Sequence, residues 1–174
     1  TKDPHFVDIG ARELFGLKGM TFPFCKQAVA ANKQMPLTAL AKAKKQLGGS
    51  LQGKTILLLG VSYLQDVGDT RYSPSEPFVV AAEKDGATVI PHDPLLNHWE
   101  DLDRPVLQEL PALEGVDSVV FAVQHAEYLE LDLAKWANGN KVAFLDAHNV
   151  LAQQQIYDGA KHSLDIQFIG KGIK

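Results

Sequence analysis

The hydrophobic positions of this 174-residue chain change period once, near residue 50. Before that point they recur at helical spacing. Phe6, Val7, Ile9, Ala11, Leu14 and Phe15 follow Asp3-Pro4, a good N-cap and first-turn pair, and Gly16 closes the segment, so a turn and helix are expected over 1–16. A second helical pattern runs over 24–47, with Val29, Met35, Leu37, Leu40 and Leu47 as an irregular stripe among alanines and lysines. Pro36 lacks an N–H and crowds the preceding turn, so it is expected to kink this helix or to begin a second one. Gly48-Gly49-Ser50 ends it. Two readings stay open for the segment: a packed surface helix, or a linker helix that also carries a dimer contact.

From Lys54 onward, short apolar runs alternate with helical stretches. Strands are expected at 54–59, 87–90, 118–123, 141–145 and 165–169. Helices are expected at about 74–85, 126–137 and 149–155, and a loop with weak helical content at 94–113. Such alternation indicates an α/β fold, a Rossmann-like and mostly parallel sheet with helices on both faces, preceded by a helical linker. The expected division is 1–50 for the helical region and 51–174 for the α/β domain.

The net charge of −4 provides no basic footprint for nucleic acid. No apolar run reaches the length of a membrane span, and no signal peptide is recognisable. The single cysteine, Cys25, excludes an intramolecular disulfide and fits a reducing, cytoplasmic setting. In the apolar sequence Phe22-Pro23-Phe24-Cys25 it reads as a small core residue rather than a nucleophile. The chain opens on Thr-Lys-Asp-Pro without an initiator methionine and reads as a piece of a longer protein.

In an open α/β sheet the functional edge lies at the carboxyl ends of the strands. Here those ends carry Gly60 to Leu64, His92-Asp93, Gln124-His125 and Asp146-Ala147-His148. Three histidines on one rim raise a metal reading, but no supporting carboxylate pattern accompanies them, and no metal is assigned. They read as capping and loop-bonding groups. Only Gly60 follows the first strand, without the G-x-G-x-x-G run of a dinucleotide site. Asp93 stands where a ribose-binding acid would, but too far along the chain. Arg71, just before the helix-start signal Ser73-Pro74, suits phosphate oxygens through its planar fork. The alternative is an ion pair with Asp66 or Asp69.

The run Lys54 to Pro74 also resembles a signature of the UDP-glucose/GDP-mannose (nucleotide-sugar) dehydrogenase family, whose C-terminal domain reads roughly G-x-x-F-K-x-x-T-x-D-x-R-x-S-P. Gly60, Tyr63, Asp69, Arg71, Ser73 and Pro74 fall in register, while Leu64 occupies the lysine position. Thr1-Lys2-Asp3-Pro4 resembles the tail of the family's C-x-x-K-D, with the nucleophilic cysteine falling before Thr1. Asn32 to Pro36 resembles N-x-x-M/Q-P of the central helix, and Asp93-Pro94 the Asp-Pro that closes the second strand. Gln124 to Tyr128 resembles T-x-H-x-E-F/Y, and Asp146 to Asn149 lies where the family has D-G-R-N. Phe168 to Gly172 resembles Y-x-G-x-G.

The resemblance implies a fragment of an NAD-dependent UDP-sugar 6-dehydrogenase of polysaccharide biosynthesis. Such an enzyme oxidises a sugar C6 alcohol through a cysteine-bound thiohemiacetal and thioester to the uronic acid, with two hydrides passing to two NAD molecules. It implies Lys2 and Asp3 as catalytic residues, with the aspartate assisting water, and Arg71 toward the NAD phosphates. Gly60, Tyr63, Leu64 and His148 are implied at the UDP-sugar. It further implies a separate N-terminal NAD-binding domain, a homodimer through the 24–47 helix, and an isolated fragment without activity. Leu64 and His148 each replace a family cation. A non-catalytic binding or regulatory module of the same fold is the alternative. A flavodoxin-like or response-regulator domain lacks its expected acidic cluster or flavin loops.

Overall fold

The computed structural model describes residues 3–170. Its centre is a five-stranded parallel sheet formed by β1 (Thr55–Leu59), β2 (Thr88–His92), β5 (Ser118–Phe121), β6 (Ala143–Asp146) and β7 (Asp165–Phe168). The strand order is β2-β1-β5-β6-β7. β1 shows why these runs become central strands. Its apolar residues alternate between the two faces, and both faces are covered. Ile56 and Leu58 join Val120 and Leu145 beneath α2 (Pro23–Gln46) and α3 (Ser75–Lys84), which contribute Leu40, Ala43, Phe78, Val79 and Ala82. Leu57 and Leu59 join Val119, Phe121 and Phe144 on the other face, under Tyr128, Leu133, Ala137 and Leu151. Burying each such side chain stabilises the fold by roughly 1.5–3 kcal/mol. The α/β, mostly parallel, helix-flanked architecture is therefore the one expected from the sequence.

The sheet's two sides differ. Beyond β2 the chain returns as a strap. Leu107 N–H donates to the Pro91 carbonyl (3.0 Å), and Asp93 N–H donates to the Leu107 carbonyl (2.9 Å). In a parallel strand N–H and C=O of one residue point to the same side, so the missing N–H of Pro91 faces away from β1. This is why β2 continues through a proline that the sequence reading placed outside it. β7 has β6 as its one sheet neighbour among the described residues.

Several local expectations are refined or corrected. α2 is one helix through Pro36, so of the two alternatives there the second helix falls. The carbonyl that Pro36 leaves unbonded belongs to exposed Asn32, where water can satisfy it, while the ring itself is buried. The 94–113 segment has the weak helical content expected of it, a 3₁₀ turn at Glu100–Leu102, together with two short strands that were not expected. It carries a hairpin of β3 (His98–Trp99) and β4 (Arg104–Pro105) around a short 3₁₀ turn, with Trp99 fully buried. The helix expected over 126–137 is two, α4 (Ala126–Leu129) and α5 (Leu133–Ala137), because the Asp132 side chain accepts from Lys135 N–H and restarts the helix. The last helix, α6, spans Gln153–Lys161 rather than 149–155.

At the start of the described chain, α1 (Asp3–Ile9) passes into a π-helical turn, Gly10–Leu14. Cys25 is half-buried, not a core residue. The later half of α2 packs on its own domain through Pro36, Ala39, Leu40 and Ala43. The apolar side chains left exposed lie earlier, at Phe6, Leu14, Phe15, Phe24 and Met35. No described helix is long and apolar enough to cross a membrane.

Candidate functional site

Counted along the chain, the main-sheet strands run second, first, third, fourth, fifth. The order reverses between β1 and β5, and a crevice opens there at the carboxyl ends. Flavodoxin-like sheets share this order, so the residues of the rim, not the topology, must identify the site.

Gly60 closes β1 at φ +93°. Its N–H donates to the His92 carbonyl (2.8 Å), and its own carbonyl accepts the Ser75 hydroxyl (2.9 Å). A side chain at Gly60 would collide with Val123 across the crevice. Both backbone groups of Gly60 are thus used inside the protein. Its contribution to a ligand site is the close approach of two strand ends.

The polar centre of the rim is Asp93, which is fully buried. Its Oδ2 accepts from the amides of Val61 and Ser62 (both 3.0 Å), the Ser62 hydroxyl (2.8 Å) and His125 Nε2 (3.1 Å), while Oδ1 accepts from Leu95 N–H (3.1 Å). Burial pushes this carboxyl upward, but the His125 and Ser62 donors outweigh it and hold the group at about 2. Asp93 therefore faces the protein and not a ribose. His92 is buried beside it, with Nδ1 2.9 Å from the Tyr128 hydroxyl and no well-formed bond at Nε2, although the Gln108 carbonyl lies near the ring. Burial lowers its pKa to about 4, against a smaller upward pull from Asp93. Burial likewise raises that of Tyr128, so the pair is a neutral imidazole and a neutral phenol.

From this fixed base the β1–α3 loop projects. Its inward residues are tied down. Thr70 donates to Asp101 (2.7 Å), the Ser73 hydroxyl reaches the Ser62 carbonyl (3.4 Å) and accepts from Ser75 N–H (3.1 Å), and Tyr63 N–H donates to the Asp69 carbonyl (2.9 Å). Its outward residues are Tyr63, Leu64, Val67, Arg71 and Tyr72. Arg71 is 72% exposed and forks onto Asp69, with Nε–Oδ1 at 2.9 Å and Nη2–Oδ2 at 2.7 Å. The ion-pair alternative is thus realised with Asp69, and the guanidinium still lies at the surface.

At the end of β6, buried Asp146 accepts the amides of His148 (3.2 Å), Val150 (2.8 Å) and Leu151 (3.2 Å). This turns the chain through Asn149 at φ +56° and leaves the His148 side chain outward. Gly60, Tyr63, Leu64, Arg71 and His148 consequently share the carboxyl edge of the sheet. Lys2 and the side chain of Asp3 lie outside the described residues. Among the described residues no three His, Cys, Asp or Glu side chains converge as metal ligands. Sequence reasoning read His125 as a loop-bonding group, as it is, but overlooked Asp93, Asp146 and Ser75 as supports. The Asp-Pro and Asp-Ala turns after two strands were the available signal.

Two hollows lie elsewhere. One of about 710 Å³ is bordered by Leu113, Glu130, Trp136 and Asn140, and one of about 770 Å³ by Gln46, Lys54, Asp117 and His162.

A family profile described as the UDP-glucose/GDP-mannose dehydrogenase family, UDP binding domain, matches residues 57–153, more than half of the chain and all of this rim. The chain belongs to this family. The matched segment corresponds to the family's UDP-binding domain. Curated relatives include a UDP-N-acetyl-D-mannosamine dehydrogenase of Methanocaldococcus jannaschii, 30% identical over 146 residues (81% of this chain, 32% of that protein). A UDP-glucose 6-dehydrogenase of Rickettsia conorii is 30% identical over 149 residues (82% and 30%). Among solved structures, an NDP-N-acetyl-D-galactosaminuronic acid dehydrogenase of Methanosarcina mazei superposes with a TM-score of 0.75 at 25% identity, over 97% of this chain and 37% of that one. A UDP-D-ManNAc dehydrogenase of Pyrococcus horikoshii superposes at 0.69 and 20%, over 89% and 35%, a likeness of fold. The chain spans about a third of the length of the curated relatives it matches.

NAD, the cofactor implied by the family, finds no self-contained site among the described residues. One glycine follows β1, and the acid at the end of β2 is consumed internally.

Proposed function

We propose that this chain is the UDP-sugar-binding part of an NAD-dependent nucleotide-sugar 6-dehydrogenase that converts a C6 alcohol to a uronic acid. The observation that carries the reading is the family match across residues 57–153, centred on the rim at the strand-order reversal. The β1–α3 loop and His148 receive the UDP-sugar: Tyr63 and Leu64 offer apolar surface, and His148 a polar edge. Arg71 points a guanidinium outward for a phosphate of NAD held by a second domain.

Lys2 and Asp3 belong to the catalytic sequence of the whole enzyme, whose cysteine nucleophile and NAD domain are supplied by sequence outside this chain. The isolated chain is then without dehydrogenase activity. The proposed division is 1–50 for the central helical region and 51–174 for the binding domain, with a homodimer formed through the helices and a cytoplasmic location. Calorimetric titration of the chain tests the reading: UDP binds and NAD does not. Absence of UDP binding, or NAD binding alone, overturns it.

A non-catalytic binding module of the same fold remains the second reading, favoured by one feature: Leu64 and His148 stand where the family carries cations. Charge-assisted contacts contribute roughly 1.5–3 kcal/mol each, so the site as it stands is a weak one for a diphosphate.

A further inference from the structure

His125 is 99% buried, yet it reaches the exposed β1–α3 loop. Nδ1 faces Asp66, whose carboxylate oxygen at 3.7 Å lies beyond hydrogen-bond reach, and Nε2 faces Asp93. Asp66 N–H, 3.1 Å from Nδ1, can only donate. The ionised Asp93 carboxylate, 3.1 Å from Nε2, can only accept. The ring must therefore carry its proton on Nε2 and present a lone pair at Nδ1. An edge-on Tyr128 ring at 5.6 Å fixes the plane. The residue held at the far end is unusual. Asp66 has φ +54°, a conformation that costs a non-glycine residue free energy and persists only when its surroundings impose it. Its carboxylate also accepts from Ala126 N–H at 3.3 Å, so the loop is bonded to the start of α4 beside His125.

We propose that His125 is a positioning residue for the ligand-facing loop: bonded through Nε2–H to Asp93, it holds the Asp66 amide with Nδ1 and so keeps the exposed segment Tyr63 to Val67 in its receiving shape. The inference rests on the reading that this loop faces UDP.

Two substitutions separate this role from a contribution to folding. Gln places an amide nitrogen near the Nε2 position and keeps the Asp93 bond, but offers no acceptor at the Nδ1 position. Asn places an acceptor near Nδ1 and loses the Asp93 bond. If His125 served the fold alone, His125→Gln would be the benign change. The positioning role requires the opposite order at the loop. In His125→Gln, hydrogen exchange at the Asp66 amide rises about tenfold or more while the unfolding midpoint stays within a few degrees of the parent. UDP affinity by calorimetry falls about fivefold. In His125→Asn, Asp66 protection and UDP affinity stay near the parent values even if the midpoint drops. Equal Asp66 exchange in the parent and His125→Gln overturns the proposal, whatever UDP does. If the parent chain binds no UDP while exchange follows the expected order, the hold on the loop stands and the ligand assignment fails.

Discussion

Gly60 and Val123 meet across the strand-order reversal at a separation that leaves no room for a side chain. A Cβ on Gly60 would overlap that of Val123 and lie 2.8 Å from its backbone nitrogen. The glycine also sits at φ +93°, where any L-residue is strained. Gly60→Ala should destabilise the chain by ~2–4 kcal/mol, the sum of backbone strain and overpacking. Val123→Gly removes the overlapped Cβ but neither the contact with the backbone nitrogen nor the strain, so Gly60→Ala should cost less in a Val123→Gly background than in the parent. Denaturant unfolding of the three variants measures both.

Acid stability should fall in two stages. The folded pKa of His92 is depressed from 6.5 to about 4, so its contribution is fully present above 6.5 and is lost as pH falls through about 4. Asp93 is depressed from 3.8 to about 2, so its contribution survives to about 4 and is lost toward 2. Each is worth on the order of 2–3 kcal/mol. His92→Gln should flatten the upper slope and leave the lower one. Unfolding midpoints between pH 7 and pH 2 are the measurement, and an unchanged upper slope would assign it to another group.

Restoring the family's cations should strengthen the ligand. Leu64 is 50% exposed and His148 lies outward, so Leu64→Lys and His148→Arg need no repacking. The double variant should bind UDP about tenfold or more tightly, most strongly at low ionic strength. An unaltered affinity would locate the diphosphate away from these positions.

Arg71→Ala should leave UDP binding to this chain nearly unchanged. In a full-length protein it should weaken NAD about tenfold, because a surface guanidinium directed at phosphate is removed. Parallel titrations with the two nucleotides read the difference, and equal losses for both would contradict the assignment.

The chain should self-associate through its first helices. Phe15 and Phe24, 73% and 81% exposed, are the large apolar side chains proposed for this contact. Sedimentation at tens of micromolar should show a dimer or larger species, and Phe15→Asp with Phe24→Asp should shift it toward monomer. A monomeric parent would rule out these helices as the contact.

The central strands were legible because each is a short apolar run bounded by turn residues, as Ile56 to Leu59 before Gly60 shows. The hairpin around Trp99 was not, since two-residue strands are too short to display a period. Nor was α6 placed correctly: Asp146 accepts the amides of His148, Val150 and Leu151 in a local turn, and the helix begins only at Gln153, where the Gln155 side chain accepts from Ala152 N–H. The rim followed from strand ends alone. Whether a carboxylate there faces inward is not written in residue type: spacing alone argued against Asp93 as a ribose ligand, and its role as a scaffold came from the structure. Arg71 was recognised as a surface cation, but only coordinates could choose Asp69 over Asp66 as its partner.

The strap through Leu107 gives the sheet a handed capacity for growth. Its bonds to Pro91 and Asp93 cover the outer edge of β2 at its carboxyl end, whereas β7 borders β6 alone among the described residues. A sixth strand, from this chain's own polypeptide or from another, would meet no such strap among the described residues beside β7, while at the carboxyl end of β2 it would first have to peel the strap away.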